Sequence, residues 1–264
     1  MSTTSDSTPP SPPRRWLQFS LRTLLVVMLV FGCGFGWFAY KIKRAREQRE
    51  VVKAIEKLGG YINERTTSGG VAWATVTWLG RLAEEDLASD VTMLALSETQ
   101  VTDAGLEHLR GLTQLCLLDL CNTEVSDAGL AHLTGLTQLE SLYLSDTLVT
   151  DAGLVHLSGL THLRELLLDG TPITDAGLEH LRGLTEIDFL DLSNTQTTDA
   201  GLIHLKGLTQ LEHLYLSHTQ VTDAGLMHLQ GLKQLEELSL FDTQVTDAGI
   251  AELQKALPNC KIER

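Results

Sequence analysis

From about residue 91 onward the hydrophobic positions of this chain fall into one arrangement that returns to the C-terminus. In Val125–Leu148 (VSDAGLAHLTGLTQLESLYLSDTL) the apolar positions are Val125, Leu130, Leu133, Leu136, Leu139, Leu142 and Leu144. Leu142 and Leu144 alternate with Ser141, Tyr143 and Ser145, the period-two pattern of a short strand with one buried face. The first half of the stretch reads as a short helix. Ser126 and Asp127 make a start signal, Leu130 and Leu133 point inward, and Gly135 closes the turn as a C-terminal cap.

The arrangement has a period of 24 residues, with full copies beginning at Val101, Val125, Val149, Ile173, Thr197 and Val221. A truncated copy runs over Val245–Arg264, and Val91–Thr99 (VTMLALSET) marks a degenerate first one. No single copy buries enough apolar surface to offset the entropy of ordering it, so copies must stack and share a core. Strand and short helix alternating at this period predict an α/β solenoid over residues 77–264. Its parallel sheet lies on one side and its short helices on the other. Thr99, Thr123, Thr147, Thr171, Thr195, Thr219 and Thr243 recur at the strand exit. Their hydroxyls are expected to satisfy backbone groups in the loop between copies.

The first 76 residues depart from this pattern. Residues 1–20 begin with a Ser/Thr/Pro-rich stretch that offers no apolar face and predict a disordered tail. Residues 21–40 predict a transmembrane helix. Within them Thr23–Tyr40 (TLLVVMLVFGCGFGWFAY) is uncharged and spans about 27 Å as a helix, against about 30 Å of bilayer hydrocarbon. Trp16, Phe19, Trp37 and Tyr40 suit the two interfacial belts. A cleaved signal peptide would have a shorter apolar core ending at small residues, whereas here Phe35, Trp37 and Phe38 continue it, which favours an uncleaved anchor. Three basic residues precede the anchor and seven follow it (Lys41 to Lys57), which favours a cytoplasmic repeat domain. A signal-anchor that exports the domain is the alternative. Gly32 and Gly36 have the spacing that lets two membrane helices approach closely, which fits a homodimer. Residues 41–76 predict a juxtamembrane helix (Lys41–Leu58, stopped by Gly59–Gly60) and a strand (Val71–Leu79), together a cap for the open end of the solenoid.

Charge sharpens the division. Residues 1–76 hold 11 Lys/Arg against 5 Asp/Glu, and residues 77–264 hold 9 against 29. So acidic a domain repels phosphate backbones and argues against a nucleic-acid partner. The four cysteines (Cys33, Cys116, Cys121 and Cys260) form no C-x-x-C pair and have no histidines at metal-ligand spacing, so all four read as free thiols.

The motif L-x-x-L-x-L-x-x-T followed by [ST]-D-A-G-L-x-x-L resembles the leucine-rich repeat family, with Thr where Asn or Cys is commoner. The resemblance covers residues 77–264 in seven or eight copies. The helical segment is similar to that of F-box ubiquitin-ligase adaptors and of internalin-like bacterial surface proteins. No F-box-like region precedes the repeats, so the adaptor role does not carry over. With Phe19–Leu25 (FSLRTLL), the layout also resembles bacterial single-pass, membrane-anchored leucine-rich repeat proteins. The resemblance implies a curved solenoid, with the parallel sheet on its concave side and the short helices on its convex side, used for protein–protein contact.

Candidate chemistry is sparse. His108, His132, His156, His180, His204 and His228 form a ladder, one per copy. Each follows an inward Leu by two positions and turns away from the core stripe, as a structural or solvated rule of the repeat. A pH-sensitive surface and a metal site are the sharper alternatives. The glycines at Gly105, Gly129, Gly153, Gly177, Gly201, Gly225 and Gly249 match no phosphate loop and are expected to serve close packing. Asp119 and Asp191 stand three strands apart, about 14 Å, too far for paired carboxylates. His213 and Asp191 lack a nearby serine for a triad. No enzymatic activity, cofactor or metal is expected. Binding residues should lie where the copies differ, on the exposed strand face. Phe189, Asp191, His213 and Tyr215 form the richest cluster, flanked by Tyr143, Asp169 and Phe241, and are expected to contact a protein or peptide ligand. A structural or self-associating spacer is the alternative reading.

Overall fold

A computed structural model of the chain describes residues 61–64 and 91–264. The expected tail over 1–20, the transmembrane helix over 21–40, the juxtamembrane helix and the Val71–Leu79 strand lie outside the described residues. Among the described residues no helix is long and apolar enough to cross a membrane.

Nine strands form one sheet in sequence order. They are β1 (Tyr61–Glu64), β2 (Val91–Ala95), β3 (Leu117–Asp119), β4 (Ser141–Tyr143), β5 (Glu165–Leu167), β6 (Phe189–Asp191), β7 (His213–Tyr215), β8 (Glu237–Ser239) and β9 (Lys261–Glu263). β2 to β9 pair in parallel, and β1 runs antiparallel along β2 with a register shift between Asn63 and Glu64. β1 thereby covers the edge that β2 would otherwise expose. Between β3 and β8 the register equals the sequence period: Leu118 faces Leu142, then Leu166, Leu190, Leu214 and Leu238 in turn. Each column across the sheet is therefore one position of the repeat.

The core is the column set that the apolar pattern predicts. Val125, Leu130, Leu133, Leu136, Leu139, Leu142 and Leu144 are all wholly buried, as are nearly all their counterparts. Thr197 occupies a position held elsewhere by Val or Ile and is buried too, its hydroxyl 2.8 Å from that of Thr195. Two rows of polar contacts run beside this core. At each strand exit a threonine hydroxyl donates to the carbonyl three residues earlier, as Thr123 does to Leu120 at 2.6 Å and Thr147 to Leu144 at 2.7 Å. This is the expected role of the threonine column. One residue before each of these threonines the backbone turns left-handed: Asn122, Asp146, Asn194, His218 and Asp242 have φ of 53–57°, and Gly170 has 69°. Asn, Asp and Gly tolerate that region best. It lets the sheet ladder run on past three-residue strands, with the Asp146 N–H donating to the Asp169 carbonyl at 2.8 Å.

The second row locks successive copies together. Each short helix opens on Asp-Ala-Gly-Leu, as in Asp127–Leu130 and Asp151–Leu154. One Asp127 carboxylate oxygen accepts the Thr150 N–H at 2.7 Å, and the other accepts the Thr150 hydroxyl at 2.7 Å. Thr150 in turn caps its own helix by accepting the Ala152 N–H at 3.3 Å. The same pair of bonds joins Asp103 to Ser126, Asp151 to Thr174, Asp175 to Thr198, Asp199 to Thr222 and Asp223 to Thr246. Asp247 instead pairs with Arg264. Thr246 holds the Asp223 carboxyl below the usual carboxylate range, through its N–H first and its hydroxyl second. A carboxyl depressed in the folded state stabilises above its unfolded pKa, and that contribution is lost as pH falls through the lowered value.

This lock explains the recurring glycine. A Cβ on Gly177 would stand 2.4 Å from the Asp151 carboxylate oxygen, and one on Gly201 2.4 Å from that of Asp175. The close neighbour is an aspartate of the preceding copy rather than a backbone strand. The Gly135 column is different and corrects an expectation: among the described glycines only Gly170 has positive φ, so Gly135 is no left-handed cap. The helix instead leaves through successive i−3 turns, Leu136 N–H to Leu133 and Leu139 N–H to Leu136. A matched pair tests the account. Gly177→Ala should cost about 1–3 kcal/mol in denaturant unfolding, the usual range for forced overpacking. Gly159→Ala, with nothing within 4 Å of its Cβ, should be neutral or stabilise by up to about 1 kcal/mol. Equal effects would contradict it.

Candidate protein-binding face

Alternation along the strands turns Leu118, Leu142, Leu166, Leu190, Leu214 and Leu238 into the core and the residues on either side of them onto the open face. Because register equals period, these face residues form columns across the sheet. Phe189 pairs in register with His213, and Asp191 with Tyr215. The Phe189 ring lies 5.7 Å from the His213 ring and 5.2 Å from the Tyr215 ring, tilted by about 40° to each. Such tilted contacts let neighbouring rings support one another while the patch stays half-exposed.

The expected cluster of Phe189, Asp191, His213 and Tyr215 is thus contiguous. Asp191 Oδ1 accepts the Ser193 N–H at 2.8 Å. Burial pushes the Asp191 carboxyl above the usual range, Ser193 pulls it down and Asp169 adds to the rise. Asp169 itself accepts from Asn194 Nδ2 at 2.8 Å. Tyr143 stands apart, because β5 separates its strand from Phe189, about 10 Å at ordinary strand spacing. Phe241 is 45% exposed in the loop after β8.

Two glutamates that the sequence reading did not single out complete the face. Tyr143 donates to Glu165 Oε2 at 2.5 Å and Tyr215 to Glu237 Oε2 at 3.1 Å. In both cases the acceptor follows the tyrosine by 22 residues, the diagonal position on the next strand, so the signal was present in the spacing. Glu237 also supplies the carboxylate nearest His213, with Oε2 3.7 Å from Nδ1, too long for a hydrogen bond. The diagonal pairing of His213 with Asp191 considered from sequence is therefore not the contact formed. Burial and the Glu165 bond push the Tyr143 hydroxyl up to about 12. Burial, with Asp119 beside it, pushes the Cys121 thiol up to about 11.

The histidine ladder sits on the helical side. Only His108 of the six is exposed, and the rest are half-buried. Arg110 Nη2 donates to His132 Nδ1 at 2.6 Å. Burial first and Arg182 second hold His204 below its usual pKa, and its Nδ1 is buried with no hydrogen-bond partner. Packing between copies accounts for the row better than exposure to solvent. Among the described residues no group of three or more His, Cys, Asp or Glu side chains is placed to hold a metal ion.

Comparison with known proteins gives this architecture its class. Residues 209–255 match the family description "Leucine Rich repeats (2 copies)", and residues 159–181 match "Leucine Rich repeat". No curated protein matches the chain. An internalin (inlF) of Listeria monocytogenes shares 24% identity over 68% of this chain and 50% of its own, with a TM-score of 0.58. Internalin C2 (inlC2) of the same organism shares 26% over 66% of this chain and 82% of its own, with a TM-score of 0.51. The chain spans about half the length of the first of these. Residues 159–181 and 209–255 thus match leucine-rich repeat models, and residues 91–264 fold as a solenoid similar to those of the two internalins.

The diagonal tyrosine–glutamate pair has a direct readout. Glu165→Gln removes the charge that Tyr143 would have to ionise against, so the Tyr143 transition in an alkaline ultraviolet titration should move down towards about 10. An unmoved transition would mean that burial alone raises it.

Proposed function

We propose that this protein is a membrane-tethered recognition module whose repeats bind another protein or peptide through the open sheet face. The observation that carries this reading is the half-exposed aromatic patch of Phe189, His213 and Tyr215, bordered by Asp191 and Glu237 on a rigid sheet. Aromatic anchors surrounded by polar groups are where binding energy concentrates in protein interfaces. The repeated leucines, aspartates and threonines hold these side chains in place but cannot distinguish ligands, because every copy has them. The variable columns differ from copy to copy, and specificity resides there.

Residues 21–40 supply the tether, and the basic flank from Lys41 to Lys57 keeps the repeats on the cytoplasmic side. Tethering confines the face to a thin layer beside the membrane and so raises its effective concentration towards partners held there.

Two measurements test the reading. The full chain should stay in the membrane pellet through alkaline carbonate extraction, and deletion of residues 21–40 should release it. Phe189→Ser combined with Tyr215→Ser should weaken capture of co-purifying partners by about 2 kcal/mol or more, the usual cost of losing a hot spot. Its far-ultraviolet circular dichroism should be unchanged. An unaltered partner set would favour a spacer over a binding module.

A further inference from the structure

The charge on the sheet face narrows the kind of ligand. Across the face columns of β2 to β9 and the loops that follow, the Lys and Arg among the described residues are Lys261 and Arg264, both at the C-terminal end. Lys261 is paired with Glu263 and with Glu237, the latter at 3.6 Å, and Arg264 with Asp247. The carboxylates of Asp119, Glu165, Asp169 and Asp191 form no ion pair with Lys or Arg among the described residues. The C-terminal end of the face therefore holds cations of its own, whereas its centre carries negative charge that no Lys or Arg of the described residues pairs, beside the rings of Phe189 and Tyr215.

We propose that the central face takes an extended peptide segment presenting arginine, with a guanidinium seated against Phe189 and Tyr215 and paired with Asp191. This inference rests on the reading of the sheet face as the binding surface. Arginine fits better than lysine because its planar fork can meet a carboxylate bidentately while its flat side lies on an aromatic ring. Alternate residues of an extended chain stand about 6–7 Å apart on one side, and strands two apart in the sheet about 10 Å. Long arginine side chains bridge such distances, so a second arginine of the same segment reaches the carboxylate of Asp169, which no Lys or Arg of the described residues pairs. The elevated carboxyl of Asp191, raised by burial and by Asp169, is consistent with an anion whose counter-charge comes from elsewhere. Anionic peptides and phosphate groups are repelled by the same field.

The probe is an acetylated, amidated pentapeptide alternating arginine and glycine, titrated calorimetrically into the full chain in detergent at about 0.15 M salt, where diffuse attraction is screened beyond about 8 Å. Its glutamine counterpart should bind at least about tenfold more weakly, and its lysine counterpart about threefold. Asp191→Asn and Phe189→Leu, which keep the shape and the apolar bulk of the face, should each cost about fivefold or more. Glu107→Gln combined with Glu179→Gln removes two exposed charges from the helical side and should change affinity less than about twofold. Equal losses from the two sides would reveal diffuse attraction and overturn the proposal. So would failure of the arginine peptide to bind. If the peptide fails while Phe189→Ser with Tyr215→Ser still strips partners, the ligand chemistry is wrong and the face reading stands. If that double variant loses no partner, both fall.

Discussion

The structure depends on a carboxylate of one copy reaching the helix start of the next. An aspartate at the first helical position spans to the following Ser or Thr, taking its N–H with one oxygen and its hydroxyl with the other, six times in succession. A helix start carries unsatisfied N–H groups and a positive dipole end, so a carboxylate is the suitable partner there. Backbone ladders hold the sheet side together, and these side-chain bridges hold the helical side. Between the two rows the leucines are wholly excluded from water. A period of 24 residues follows, because any insertion in one copy would shift its threonine away from the preceding aspartate.

That constraint also assigns the rest of the repeat. From Gly129 to Gly249, glycine recurs two residues after the aspartate because the aspartate of the preceding copy fills the space a side chain would need. Threonine recurs at the strand exit because the backbone turns left-handed just before it and leaves a carbonyl for the hydroxyl to bond. Little of the repeat is left to vary except the outward strand positions. The scaffold's regularity and the variety of the sheet face are two results of one packing rule. Recognition can change column by column without disturbing the core, since Phe189 and His213 sit where Ser141 and Glu165 sit in other copies, and Tyr215 where Leu167 and Ser239 sit.

Periodicity made the core and the strands legible in the sequence. All seven inward positions of the copy at Val125–Leu148, the parallel order and the threonine role follow from alternation and spacing alone. Contacts between copies were less legible, because they join residues 22 to 26 apart that no local pattern links. The partner of each Asp, the reason for each Gly and the Tyr143–Glu165 and Tyr215–Glu237 diagonals are all of this kind. Gly135 misled because a glycine after a helical pattern ordinarily signals a left-handed cap, whereas this helix ends in successive tight turns that need none. The aromatic cluster was readable once the strands were aligned by period, since register and period coincide. Tyr143 flanks it on the same face, with one strand lying between.

The claim that aspartate bridges hold the copies in register is tested most directly by a double-mutant cycle on Asp151→Ala and Thr174→Val. Denaturant unfolding of the wild type, both single variants and the double variant isolates the pair from everything else each residue touches. A charge-assisted hydrogen bond of this kind predicts a coupling of about 1–2 kcal/mol, with the double variant less destabilised than the two single losses added together. Strictly additive losses would mean that the bridge contributes nothing and that the leucine core alone sets the stacking.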